Sequence, residues 1–290
     1  MTDDVKMNHA PQQRREAKHE VRQRQLPRLF AVTLAGLLLL RPFPAKTSGT
    51  APREELQAAK MMETALFARQ AGAEEWKKLE RAYADLVAKY PADAAVRNAQ
   101  GEFLWTIGEQ GLAMESWLAA EKLEPGNAVV LDHLGDSYLA EGNAQKAAAF
   151  YRRAATSSPA NAAYHFSYAN VAFLFRHQLL DADHADADSL LRDALAHFAE
   201  AARLQPLDAE YARAYAETFY SVPDPDWRAA LRAWQHFHEI SPRKDFALLN
   251  LARVHMKLGN KPEAREILAR IQSPEFNRLK ARLQERIETE

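Results

Sequence analysis

The chain contains no cysteine. That single absence excludes disulfides, thiol catalysis, thiolate-held zinc and iron–sulfur clusters. It also excludes a bacterial lipoprotein, whose lipid must be attached to a cysteine. Glycine and proline are scarce, 10 and 14 among 290 residues, which is low for a fold built on many tight turns. Charge of one sign is missing as well: 38 Lys and Arg balance 39 Asp and Glu, for a net charge of −1. A nucleic-acid binder needs a basic excess or stripe to neutralise phosphates, so no nucleic-acid partner is expected.

Catalytic signatures are missing too. The chain has no G-x-S-x-G elbow, no P-loop, no H-E-x-x-H and no glycine-rich dinucleotide turn, so neither an enzyme nor a cofactor is expected. The acidic stretch 181–188 (DADHADAD) departs from the spacing of a calcium loop at Ala185 and is followed by no glycine. It reads as a solvated acidic loop that caps the helix starting near Asp188. His177, His184 and His197 share no i, i+4 spacing, and His236 and His238 fall on different helical faces, so no metal site is expected.

What the chain does have is alanine-rich helix-forming sequence. Apolar residues make up 47% of it, more than a disordered chain carries. Segments such as 74–89 and 145–156 are dense in Ala, Leu, Lys, Glu and Arg, the strongest helix formers. The expected class is all-α.

Near the N-terminus, a basic stretch (Arg14, Arg15, Lys18, Arg22, Arg24, Arg28) precedes the apolar run 29–40, LFAVTLAGLLLL. As a helix that run would extend about 18 Å, against a hydrocarbon core of about 30 Å. Small residues follow, and the pattern describes a secretory signal peptide. Cleavage after Ala45 would place bulky Phe43 in a small-residue position, whereas cleavage after Ala51 would be followed by Pro52. An uncleaved anchor, associating with the membrane through residues 29–40, and a buried segment are the alternatives. An exported, periplasmic or extracellular location is expected; inner-membrane anchoring is the alternative.

Periodicity decides the architecture. Pro91, Pro125 and Pro159 lie 34 residues apart, each at the end of a helical run. The unit 128–161 carries Leu134, Gly135, Tyr138, Ala147, Tyr151, Ala154 and Pro159. Small Gly135, Ala147 and Ala154 let two helices approach while Leu134, Tyr138 and Tyr151 fill the space between them. The preceding unit repeats Gly101, Ala113, Trp117, Ala120 and Pro125, with Gln100 and Leu104 off the pattern. The following unit has Tyr168, Ala169 and Ala172, then Ala194, Phe198, Ala201 and Pro206 only after about thirteen inserted residues between positions 175 and 189. A fourth unit shows Tyr215, Ala216, Phe219, Ala230, Trp234 and Pro242, and a fifth Leu251, Ala252, Gly259, Ala264 and Leu268.

This pattern resembles the tetratricopeptide-repeat family, L-G-x2-Y…A-x3-F…P, over roughly residues 56–290. The resemblance implies an α-solenoid, a right-handed superhelix of about five to six helix–turn–helix repeats with a capping helix. The expected layout is a signal peptide or anchor over 1–45, a linker over 46–55, a degenerate repeat over 56–93 marked by Tyr83 and Pro91, and the array over 94–278 with its insertion near 176–188. Residues 279–290 finish the capping helix, on which Phe276, Leu279, Leu283 and Ile287 form one apolar stripe. Trp117 and Trp234 take the aromatic place of a second helix and are expected in the core.

The resemblance further implies a concave groove lined by the first helix of each repeat, and hence a protein or peptide partner. Its groove places fall on Asn98, Glu102 and Trp105, on Asp132, Asp136 and Leu139, and on Phe166, Asn170 and Phe173. Further along they fall on Arg213, Glu217 and Tyr220, then on Leu249, Arg253 and Met256. The groove is thus acidic and partly aromatic in its N-terminal half and more basic at its C-terminal end; ordinary solvated helix surface is the competing reading. Family members that clamp a terminal carboxylate use Lys, Arg and Asn at these places, where this chain has Glu102, Asp132 and Asp136. A structural, self-assembling role in an envelope complex is the alternative function. The partner's identity and the oligomeric state are not legible in the sequence.

Overall fold

The computed structural model describes residues 50–180 and 186–289. The expected export segment, the start of the linker, and residues 181–185 with His184 lie outside the described residues. Among the described residues every regular element is helical. None of the described helices is long and apolar enough to cross a membrane.

Among the described residues, twelve α-helices follow one another in six pairs and a thirteenth closes the row. They are α1 (Thr50–Ala68) with α2 (Ala73–Lys89), α3 (Ala94–Thr106) with α4 (Gln110–Leu123), and α5 (Ala128–Ala140) with α6 (Ala144–Ser157). Next come α7 (Ala162–Leu174) with α8 (Ala187–Leu204), α9 (Ala209–Thr218) with α10 (Trp227–Ile240), and α11 (Lys244–Lys257) with α12 (Lys261–Ala269). A last helix, α13 (Asn277–Thr289), has no partner. Each helix packs mainly on its sequence neighbours, the arrangement of an α-solenoid.

The repeat is written locally by one short phrase. Pro91, Pro125, Pro159 and Pro206 each end a second helix, and two residues later Asp93, Asn127, Asn161 and Asp208 cap the next first helix. The proline has no N–H to continue the old helix. The Asx side chain accepts hydrogen bonds from the exposed N–H groups of the new one, as Asp93 does from Ala95 and Val96 at 2.9 and 3.0 Å. Inside three pairs the turn falls on Gly108, Gly142 and Gly259, at φ 90°, 81° and 78°, a backbone state open chiefly to glycine.

Close packing follows from the small residues. The backbone of Gly135 lies against the ring of Tyr151, and that of Gly101 against the indole of Trp117. Trp117 and Trp234 are essentially fully buried, as are Tyr83, Phe103 and Tyr168. Both tryptophans thus belong to the core. The described residues of the third unit's insertion include a 3-10 turn (Arg176–Gln178) and a buried Leu179, and the second helix is longer; α8 has 18 residues where α4 has 14. Asp186 caps α8 by accepting from the Ser189 N–H at 2.6 Å.

Two boundaries differ from expectation. Helix α1 begins at Thr50, inside the expected linker, and packs Ala59 and Leu66 under α2 and α3. Burial of that apolar face overrides the loop-like composition before it. In α13, Leu283 and Ile287 are buried against the last repeat, but Leu279 is exposed, so the apolar stripe is narrower than expected. Phe276 sits in a separate 3-10 turn and packs near Phe246.

Candidate partner-binding face

The first helices of successive repeats touch one another, and their side chains form one continuous face. The Lys60 ammonium on α1 pairs with Glu102 on α3 at 3.0 Å. Glu102 in turn meets His133 on α5 at 3.4 Å. Ser167 on α7 lies near enough to Asp132 on α5 to favour its charged form. Phe166 of α7 packs against Tyr211 of α9, centroids 4.6 Å apart, and Tyr220 after α9 donates to the Asn250 carbonyl of α11 at 3.2 Å. The expected groove residues therefore lie along one row of helices, although their roles in it differ.

At the N-terminal end the face is a network. The Asn98 amide donates to Glu102 Oε1 at 2.8 Å, while Trp117 Nε1 donates to the Asn98 carbonyl at 3.3 Å. Trp105 is half-buried against Trp117, and Trp117 also stacks on His133, centroids 4.7 Å apart. Burial by itself would raise the Glu102 carboxyl; the hydrogen bond with His133 and the Lys60 charge outweigh it and hold the group at about 2. His133 shows the mirror image. Burial would lower it, yet its bond to Glu102 and the charges of Glu102, Asp136 and Asp132 raise it.

One turn along, Asp132 and Asp136 project from the same face of α5 at i, i+4, a repulsive spacing for like charges. Tyr151 of α6 donates to Asp136 Oδ1 at 2.6 Å. Among the described residues no Lys or Arg forms a salt bridge with either aspartate. Burial, then the Asp136 charge, push the Asp132 carboxyl up to about 7. Burial raises Asp136 too, against its bond from Tyr151. Asp132 Oδ1 and Asn98 Oδ1 are both buried without a hydrogen-bond partner, a rare condition for such oxygens in a folded protein.

Further along, Phe166 departs from the expected groove set: it is 8% exposed, held between Tyr211 and Phe198, and belongs to the core. Asn170 and Phe173 stay half-buried on the same helix, with the Arg176 guanidinium over the Phe173 ring at 5.9 Å. Arg213, Glu217 and Leu139 are half-buried, and burial raises Glu217 against the charges of Arg213 and Arg243. Arg253 is exposed and lies over the Tyr220 ring at 4.2 Å while donating to Asn250 Oδ1 at 2.9 Å. Leu249 is buried and Met256 half-buried.

Four residues that shape this face carry no signal in the repeat pattern: Lys60, His133, Tyr151 as a hydrogen-bond donor, and Ser167. Lys60 lies 42 residues from the Glu102 it pairs with, so only the stacking of helices joins them. Away from this face, His197 meets an unforeseen partner, His165, with Nδ1 atoms 2.9 Å apart. His165 Nε2 is 3.0 Å from the Pro159 carbonyl. That oxygen can only accept, so Nε2 of His165 carries a proton and donates to it. Burial lowers His197, against the charge of Asp193, whose Oδ1 lies 3.8 Å from its Nε2. Two open crevices, of about 390 and 450 Å³, lie elsewhere, at equivalent positions flanking α3 and α11.

Comparison with known proteins agrees with this architecture. Residues 128–161 and residues 246–273 each match a tetratricopeptide-repeat model. No curated protein sequence matches. The solved structure of YrrB, described as a TPR protein with an unusual peptide-binding site, aligns with a TM-score of 0.52 at 16% identity, over 64% of this chain and 89% of that one. Pseudomonas aeruginosa pilF aligns at 0.53 and 15% identity, over 82% and 99%. Naa15/Naa10 bound to HypK-THB aligns at 0.57 and 13% identity, over 82% of this chain and 34% of that one. At these identities the likeness is one of fold. The chain carries tetratricopeptide repeats.

Proposed function

We propose, starting from the tetratricopeptide repeats that this chain carries, that it is a non-catalytic scaffold holding a protein or peptide partner against the face of its first helices. The observation that carries this reading is the continuity of that face from Lys60 to Arg253, built by five helix-to-helix contacts rather than by one pocket. An extended or helical peptide needs such a track, whereas a small molecule needs an enclosed concavity. The fold likeness to YrrB, a protein described by its peptide-binding site, points the same way.

We further propose that the scaffold works after export, in the periplasm or outside the cell. Support comes from the basic stretch, the twelve-residue apolar run 29–40 and the small residues after it. Intact-mass measurement of the protein in cell fractions tests this: loss of the leader through Ala45 or Ala51 is expected, and a soluble cytoplasmic pool retaining Met1 overturns it.

The binding reading is tested with an array of short peptides of mixed composition, probed with the full chain. Asn170→Trp, which places an indole at the middle of the face, should abolish binding. Arg192→Trp, on an exposed position of α8, should leave it intact. Equal binding by both variants overturns the proposal.

A further inference from the structure

The carboxylates of the face do not balance their cations. Glu102, Asp132 and Asp136 are gathered by α3 and α5 around His133, and Lys60 is already engaged by Glu102. Tyr151 donates to Asp136, and Ser167 lies near Asp132. Two acceptor oxygens, Asp132 Oδ1 and Asn98 Oδ1, remain buried and unmet on neighbouring first helices. Such oxygens are costly unless something donates to them, and buried charges are normally paired. The neighbouring His133 already faces Glu102. The site is therefore short of both a positive charge and hydrogen-bond donors.

We propose that Asn98, Asp132 and Asp136 form a receptor for one basic side chain, Lys or Arg, of the partner polypeptide. This rests on the reading of the first-helix face as the binding face and specifies the chemistry of the partner there. An ammonium or guanidinium group carries donors and no acceptor, which matches what the site lacks. Its charge would offset the repulsion between Asp132 and Asp136. Half-buried Leu139, three residues after Asp136 on α5, and Trp105, seven after Asn98 on α3, would offer apolar surface to the methylene stem of such a side chain. A carboxylate-terminated peptide would meet like charge here, and an unbranched apolar side chain would leave both oxygens unmet.

The test uses the full chain and a peptide array in which every lysine peptide is printed twice, once with its lysines acetylated, alongside arginine-for-lysine copies. Acetylation keeps the stem and removes the charge. Lysine and arginine peptides should bind, acetylation should weaken binding about tenfold or more, and Asp132→Asn with Asp136→Asn should erase the difference between the two printings. Both changes keep side-chain shape and relieve repulsion, so the variant should fold; circular dichroism checks it, and Asp136→Asn alone serves if the pair does not. Binding that ignores acetylation, or survives in the variant undiminished, overturns the receptor. If such binding is still abolished by Asn170→Trp, the broader face reading stands without it. If no peptide binds the wild type, or Asn170→Trp changes nothing, both fail together.

Discussion

Replacing Gly135 with alanine tests the packing that defines the repeat. A Cβ at that position would stand 2.5, 2.6 and 2.8 Å from Cε1, Cδ1 and Cζ of Tyr151, where ordinary contact begins near 3.4 Å. The ring has nowhere to go: Tyr151 is buried in the core with Tyr138 and Ala147, and its hydroxyl is tied to Asp136 at 2.6 Å. Overpacking of this kind costs about 1–3 kcal/mol. Displacing the ring also strains or breaks a hydrogen bond to a carboxyl group, another roughly 1.5–3 kcal/mol if lost. Alanine returns up to about 1 kcal/mol by favouring the helix over glycine. The net expectation is a loss of roughly 2–4 kcal/mol. Gly111, in the first turn of α4, is the internal control because nothing lies within 4 Å of its added Cβ; there alanine should be neutral or stabilising by at most about 1 kcal/mol. Urea unfolding followed by circular dichroism gives both numbers. A second arm, Gly135→Ala with Tyr151→Leu, should cost less than the sum of the single changes, since the smaller side chain removes the clash. If Gly135→Ala proved as stable as Gly111→Ala, the close approach of α5 and α6 argued above would be refuted.

Two further outcomes are expected. Asp132 is raised from 3.8 to about 7 in the folded state, by burial and then by Asp136; the folded form holds the proton longer, so the penalty on stability grows as pH rises from about 4 through 7. Asp132→Asn should therefore melt higher than wild type at about pH 8 and converge with it near pH 4; an equal difference at both would contradict the assignment. Deleting residues 274–290 uncovers the apolar surface under Leu283 and Ile287. At about 1.5–3 kcal/mol for each buried side chain, the last repeat should lose cooperative unfolding and bind a hydrophobic dye; an unchanged unfolding midpoint would show that α13 is not a cap.

Much of the fold was legible because it is local. The 34-residue interval of Pro91, Pro125 and Pro159, with Gly135 and Ala147 set against Tyr151, identifies paired helices without any long-range information. Proline termination and Asx capping each act within a few residues of themselves. The face was legible only by position. The offsets that select Asp132 and Asp136 also select Phe166, yet the ring of Phe166 is drawn into the core by Tyr211 and Phe198. Whether a groove place faces a partner or a neighbouring repeat depends on side chains at least 31 residues away, as the His133–Glu102 contact shows.

The sequence by itself therefore determined the repeat unit, its two helices, its small-residue contacts and its aromatic core positions, because each depends on spacing within one unit. The tertiary structure alone decided that Lys60 neutralises Glu102, that His133 lies between Glu102 and the Asp132–Asp136 pair, and that this pair is left without a Lys or Arg partner among the described residues. Charge balance at a buried site is a sum over neighbours from several helices. No single unit contains that sum, so it comes into being only when the repeats stack.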